Sequence, residues 1–61
     1  MKPGTFVRIA HGNHRHHGEE AAVVGEAARR KRSRTWTAVI LMLENGELVE
    51  AHIGHVQAVP A

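Results

Sequence analysis

The alternation of apolar and polar residues along the chain predicts short strands separated by turn-rich segments. From Thr5 to Ala10, Val7 and Ile9 fall on one face and Phe6, Arg8 and Ala10 on the other. This is the period-two pattern of a half-buried strand. His11 to Glu20 carries Gly12, Asn13 and Gly18 and almost no apolar side chain, so it reads as a loop. Val23 and Val24, within Ala21 to Glu26, mark a short second strand that ends near Gly25. Ala27, Ala28 and the basic residues after them have no periodic apolar face and are expected to form a mobile loop. Near the end, Gly54-His55 breaks the pattern, and Val56 to Val59 reads as a final short strand stopped by Pro60.

The strongest local signal lies between Thr35 and Ile53. Asn45-Gly46 is the preferred pair for a two-residue hairpin turn, in which both central residues need positive φ. Such a turn sets Leu43 opposite Leu48, Met42 opposite Val49, Leu41 opposite Glu50, Ile40 opposite Ala51, Val39 opposite His52 and Ala38 opposite Ile53. One face is then wholly apolar (Ala38, Ile40, Met42, Val49, Ala51, Ile53) and is expected to be the core. The other mixes Val39, Leu41, Leu43 and Leu48 with Glu50 and His52. That face is too apolar for plain solvent exposure and suggests a contact surface. Five short strands, with one long early loop and one tight late hairpin, predict a small all-β open barrel.

The length of 61 residues allows one domain, residues 1–61, with a small core. No cysteine is present, so neither a disulfide nor a thiolate metal site supports it, and self-association becomes an expected source of stability. A hydrophobic content of 43% argues against disorder. The longest apolar run, Ala38 to Leu43, is too short to span a bilayer, and no signal-peptide pattern follows Met1. A soluble, cytoplasmic location is therefore expected.

The formal net charge is only +2, but its distribution is uneven. Five of the six residues from Arg29 to Arg34 are basic, interrupted by Ser33 alone, and Trp36 follows. Arginine forks pair with phosphate oxygens, and an adjacent aromatic ring can stack on an exposed base. Arg29, Arg30, Lys31, Arg32, Arg34 and Trp36, assisted by Arg15, are thus the candidate nucleic-acid-binding residues. Trp36 also falls in phase with the expected core face, so packing competes with stacking as its role.

Two resemblances bear on fold and partner. Val7-Arg8-Ile9, Gly12 and Gly18-Glu19-Glu20-Ala21-Ala22-Val23 resemble the KOW motif, a segment of SH3-like barrels in ribosomal proteins and transcription elongation factors. Ala21 stands where that pattern has its defining glycine. The resemblance covers roughly residues 4 to 25 and implies an SH3-like barrel that binds RNA or a protein through its loops. Glu50 to Pro60, with Gly4, Val7-Arg8 and Gly12, is similar to the plasmid-borne type II dihydrofolate reductases, SH3-like barrels that assemble as tetramers around a pore. Of that family's active surface only Val56 and Gln57 carry over, because its tyrosine and lysine are replaced by Val59 and Ile9. This likeness implies a homo-oligomer more than a reductase. The candidate oligomer or partner face is accordingly Val39, Leu41, Leu43, Leu48, Val56 and Gln57.

The histidines supply the remaining candidate chemistry. His11, His14, His16 and His17 are dense enough in imidazole nitrogen to suggest a zinc or nickel site, although no specific zinc spacing is matched. The alternative is a surface that gains positive charge below about pH 6.5. An aromatic cage or proline-peptide groove needs more rings than Phe6 and Trp36. A hydrolytic triad is disfavoured, since Ser33 is the only serine and no aspartate exists. The sequence therefore reads as a non-enzymatic, cofactor-free binding module for nucleic acid, with oligomeric assembly and metal binding as the alternatives.

Overall fold

The computed structural model describes residues 1–60. It contains strands β1 (Phe6–Ile9), β2 (Glu20–Lys31), β3 (Arg34–Leu43), β4 (Leu48–His52) and β5 (Val56–Ala58). A single turn of 3-10 helix, Ile53–His55, joins β4 to β5. All pairings are antiparallel, in the order β4-β3-β2-β1-β5. The expected all-β class and its five strands are what the chain adopts; where the sequence reading expects a small open barrel, the five strands form one sheet that is not closed into a barrel. Among the described residues, no helix is long and apolar enough to cross a membrane.

Val7 and Ile9 point inward, as their alternation requires, and are fully buried. They pack with Ala21 and Val23 of β2, Val39, Leu41 and Leu43 of β3, Ala51 of β4 and Val56 of β5. The core is aliphatic throughout, because Phe6 lies on the opposite face and is 61% exposed.

The β3–β4 hairpin differs from the sequence expectation by one residue, and that shift exchanges its faces. The turn is a three-residue loop rather than a two-residue one. The Gly46 amide donates to the Leu43 carbonyl, and the Leu43 amide donates to the Glu47 carbonyl. Only Gly46 takes positive φ there, at +88°. The Asn45 side chain accepts from the Glu47 amide, which uses the short polar side chain to brace the turn. Such a type I turn with a glycine bulge is the next commonest hairpin connection. It sets Met42 opposite Leu48, Leu41 opposite Val49, Ile40 opposite Glu50, Val39 opposite Ala51 and Ala38 opposite His52. A slip of one residue moves every side chain to the other face.

The expected contact face is therefore largely the core. Val39, Leu41, Leu43 and Val56 are buried and cannot form an outer surface, whereas Leu48 and Gln57 are exposed. The apolar residues that do face outward form a cross-strand row, Phe6–Ala22–Met42–Leu48. Its exposed area is on the order of 300 Å², within the range of ordinary monomer patches. A specific interface needs roughly 800 Å² per partner, so this row does not by itself call for a second copy.

The basic segment is also ordered differently from expectation. Arg29 to Arg34 is no mobile loop but the end of a long hairpin, with β2 spanning 12 residues and β3 spanning 10. Val24 forms a bulge between the Val23–Leu41 and Gly25–Ile40 pairs. Beyond it pairing continues without interruption to Lys31 opposite Arg34. β4 stops opposite Ala38, so Ala28–Lys31 and Arg34–Thr37 form a two-stranded ribbon with no third strand. At about 3.3 Å per residue this ribbon is roughly 13 Å long.

The two-residue turn with positive φ at both positions occurs here, at Arg32 (φ 50°) and Ser33 (φ 67°). Neither residue is glycine or asparagine, so the turn carries a steric cost of about 1–2 kcal/mol per residue. Replacing Ser33→Gly is expected to raise stability by about 0.5–1 kcal/mol, a gain of several degrees in Tm for a domain this size. Ser33→Val should lower Tm, because a branched Cβ tolerates positive φ worst. Thermal denaturation by circular dichroism checks both.

Candidate nucleic-acid interface

The hairpin arm sorts its residues by strand parity. Arg30 pairs with Thr35 and Ala28 with Thr37, in phase with Val39 and Leu41. Lys31 pairs with Arg34, Arg29 with Trp36 and Ala27 with Ala38. This second set continues the outer face of the sheet. Trp36 therefore lies on the face opposite the core, which corrects the phase expected from the sequence. It is half-buried, beside the diagonal neighbour His52 of β4. The two rings lie 5.4 Å apart with planes 12° from parallel.

Not every basic residue is available to a ligand. The Arg29 guanidinium pairs with Glu50 and also donates to the Ala28 carbonyl at 3.2 Å. Arg8 pairs with Glu20 at 2.8 Å. Arg30, Lys31, Arg32 and Arg34 have no carboxylate partner among the described residues. Lys31 and Arg34 moreover stand directly opposite each other, an unfavourable like-charge pair. The tip thus combines strained backbone with unrelieved positive charge, and a bound anion would relieve the second of these. Lys31, Arg32, Arg34, Thr35, Trp36 and His52 line an open groove of about 600 Å³. Arg15 sits exposed on the β1–β2 loop, and no ion pair or hydrogen bond among the described residues joins it to the arm.

The histidines do not gather around a common point. Among the described residues no three His, Cys, Asp or Glu side chains, those of His11, His14, His16 and His17 included, are placed to hold a metal ion. Their nitrogens are committed elsewhere. His14 donates from Nε2 to the Glu50 carbonyl at 2.9 Å and accepts at Nδ1 from the His16 amide at 3.0 Å. His16 donates from Nδ1 to Glu19 at 2.7 Å. His11 accepts at Nδ1 from the Asn13 amide at 3.3 Å, and His17 stands exposed.

Four aromatic rings form a column. His11 stacks on His55 with centroids 3.8 Å apart, and His55 lies 4.9 Å from His52, which reaches Trp36. His52 also accepts at Nδ1 from the Gly54 amide at 2.9 Å, capping the 3-10 turn. The histidine loop and the basic arm are therefore linked through His52 and His55. Sequence reasoning left both outside the site, since their placement depends on the β3–β4 register and on contacts distant in sequence.

No protein-family model, curated protein or solved structure matches this chain.

The column makes the fold sensitive to acid. Burial, and then the neighbouring His11, His52 and His14, hold the His55 pKa below the usual histidine value of 6.5. The unfolded chain therefore binds more protons than the folded one between 6.5 and the lowered value. Stability is present above pH 6.5 and is lost as pH falls through that window. Tm is expected to fall as the pH drops below 6.5, and His55→Gln should flatten the decline. A Tm independent of pH over this range would contradict the reading.

Proposed function

We propose that the chain is a non-enzymatic β-sheet module that grips the phosphate backbone of nucleic acid with the β2–β3 arm. The observation that carries this reading is the tip itself. Four cations without carboxylate partners among the described residues, Arg30, Lys31, Arg32 and Arg34, project on a narrow ribbon that no third strand of the described residues covers. A body whose carboxylates lie elsewhere, with Arg29 already neutralised by Glu50, leaves the arm as a positive lobe that steers and orients an anionic polymer. The resemblance of residues 4 to 25 to KOW segments supports the same class of partner. Phosphate contacts of this kind provide affinity and register but no sequence discrimination.

The test is binding of single-stranded and duplex oligonucleotides across a salt series. Affinity is expected to fall steeply with salt, with a slope near −0.7 to −0.9 per phosphate neutralised. Changing Arg30, Lys31, Arg32 and Arg34 together to Gln should abolish binding at about 50 mM salt, with the circular dichroism spectrum unchanged. Binding that survives this substitution, or none by the parent protein at low salt, would refute the proposal.

A further inference from the structure

Trp36 is the outermost ring of the column. His11, His55 and His52 follow one another toward it, and no other aromatic ring of the described residues lies against the indole. The groove of the arm begins at this end of the column, with Lys31, Arg32 and Arg34 along its wall. A π-face and several cations thus border one cleft, whose volume of about 600 Å³ is in the range of small-ligand sites. His52 contributes further. Because its Nδ1 accepts from Gly54, the neutral ring carries its proton on Nε2 and can donate a hydrogen bond.

Resting on the arm's reading as a phosphate-binding element, we propose that Trp36 is the stacking platform for one unpaired base of a single-stranded nucleic acid. The base extends the column as its next ring, and the phosphates flanking it are held by Lys31, Arg32 and Arg34. A duplex does not fit this arrangement, because its bases are stacked on one another and offer no free face. Trp36 lies on the face opposite the aliphatic core, where with His52 it flanks the buried Ala38, and it stays only half-buried there.

Trp36 is the only tryptophan, so its fluorescence reports on the site directly. The probes are oligo-dT, oligo-U, an abasic deoxyribose phosphodiester of the same length, and a duplex of matched charge, all at low salt. The base-bearing single strands should quench Trp36 and bind more tightly than the abasic strand or the duplex. Read by anisotropy of end-labelled strands, Trp36→Leu should weaken the base-bearing strands by about 5- to 150-fold while leaving affinity for the abasic strand unchanged. Trp36→Phe should retain most of the binding. The abasic strand also serves as a folding control, since it reads the same cations on the same hairpin. Comparable quenching by oligo-dT and oligo-U supports stacking that reads neither the 2′-hydroxyl nor the thymine methyl, and oligo-dU in place of oligo-dT separates the two groups if one strand is preferred. Equal affinity for abasic and base-bearing strands, tighter binding of the duplex, or an equal loss on all probes in Trp36→Leu would overturn the stacking proposal while the phosphate-binding reading stands. Failure of every probe to bind would overturn both.

Discussion

The register of β3 is the constraint on which the rest of the molecule depends. This strand pairs along its length with β2 and over its second half with β4, and a turn fixes it at each end. Gly46 closes one turn with a single positive φ, and Arg32-Ser33 closes the other with two. Together they send Val39, Leu41 and Leu43 inward to meet Val7 and Ile9, and send Trp36 and Met42 outward. A change of one residue at either turn would bury Ile40 and Met42, expose the present core and turn Trp36 over.

Around this strand the protein divides into a body and an arm. The body has a core of small aliphatic residues, in which Ile9, Leu41, Val7 and Val39 are the largest fully buried side chains. The arm buries almost nothing, opposes Lys31 to Arg34 and turns through two non-glycine residues with positive φ. These local costs fall at the same place as the cations that have no carboxylate partner among the described residues. Strained and self-repelling segments persist where the surrounding structure enforces them, and they cluster at binding sites. The Arg29–Glu50 pair ties the base of the arm to β4, but as an exposed ion pair it contributes at most about 1 kcal/mol. Uninterrupted backbone pairing is what holds the arm together.

Much of this was legible in the sequence, and the exceptions share a physical cause. The alternation about Val7 and Ile9 gave β1 and its buried face, because a half-buried strand must alternate. The turn at Asn45-Gly46 was legible as a turn but not in its length, since the same dipeptide serves two-residue and three-residue loops. The run Ala38 to Leu43 is apolar in both phases, so hydrophobicity did not choose between them. The hydrogen bond from the Glu47 amide to the Asn45 side chain belongs to the observed turn, and composition does not reveal it. The outer half of β2 escaped notice because a solvated ribbon has no apolar face to reveal its period. The basic residues themselves were plain. The ring column was not, because His11, His52, His55 and Trp36 meet only after four strands have paired.

A two-dimensional nuclear Overhauser spectrum of the labelled protein reads the β3 register. The observed pairing predicts contacts between Met42 and Leu48, and between the Trp36 and His52 rings, with Leu41 close to Val7 and Ile9. Cross peaks placing Leu43 opposite Leu48 and Val39 opposite His52, with the Met42 side chain among the core methyls, would contradict it.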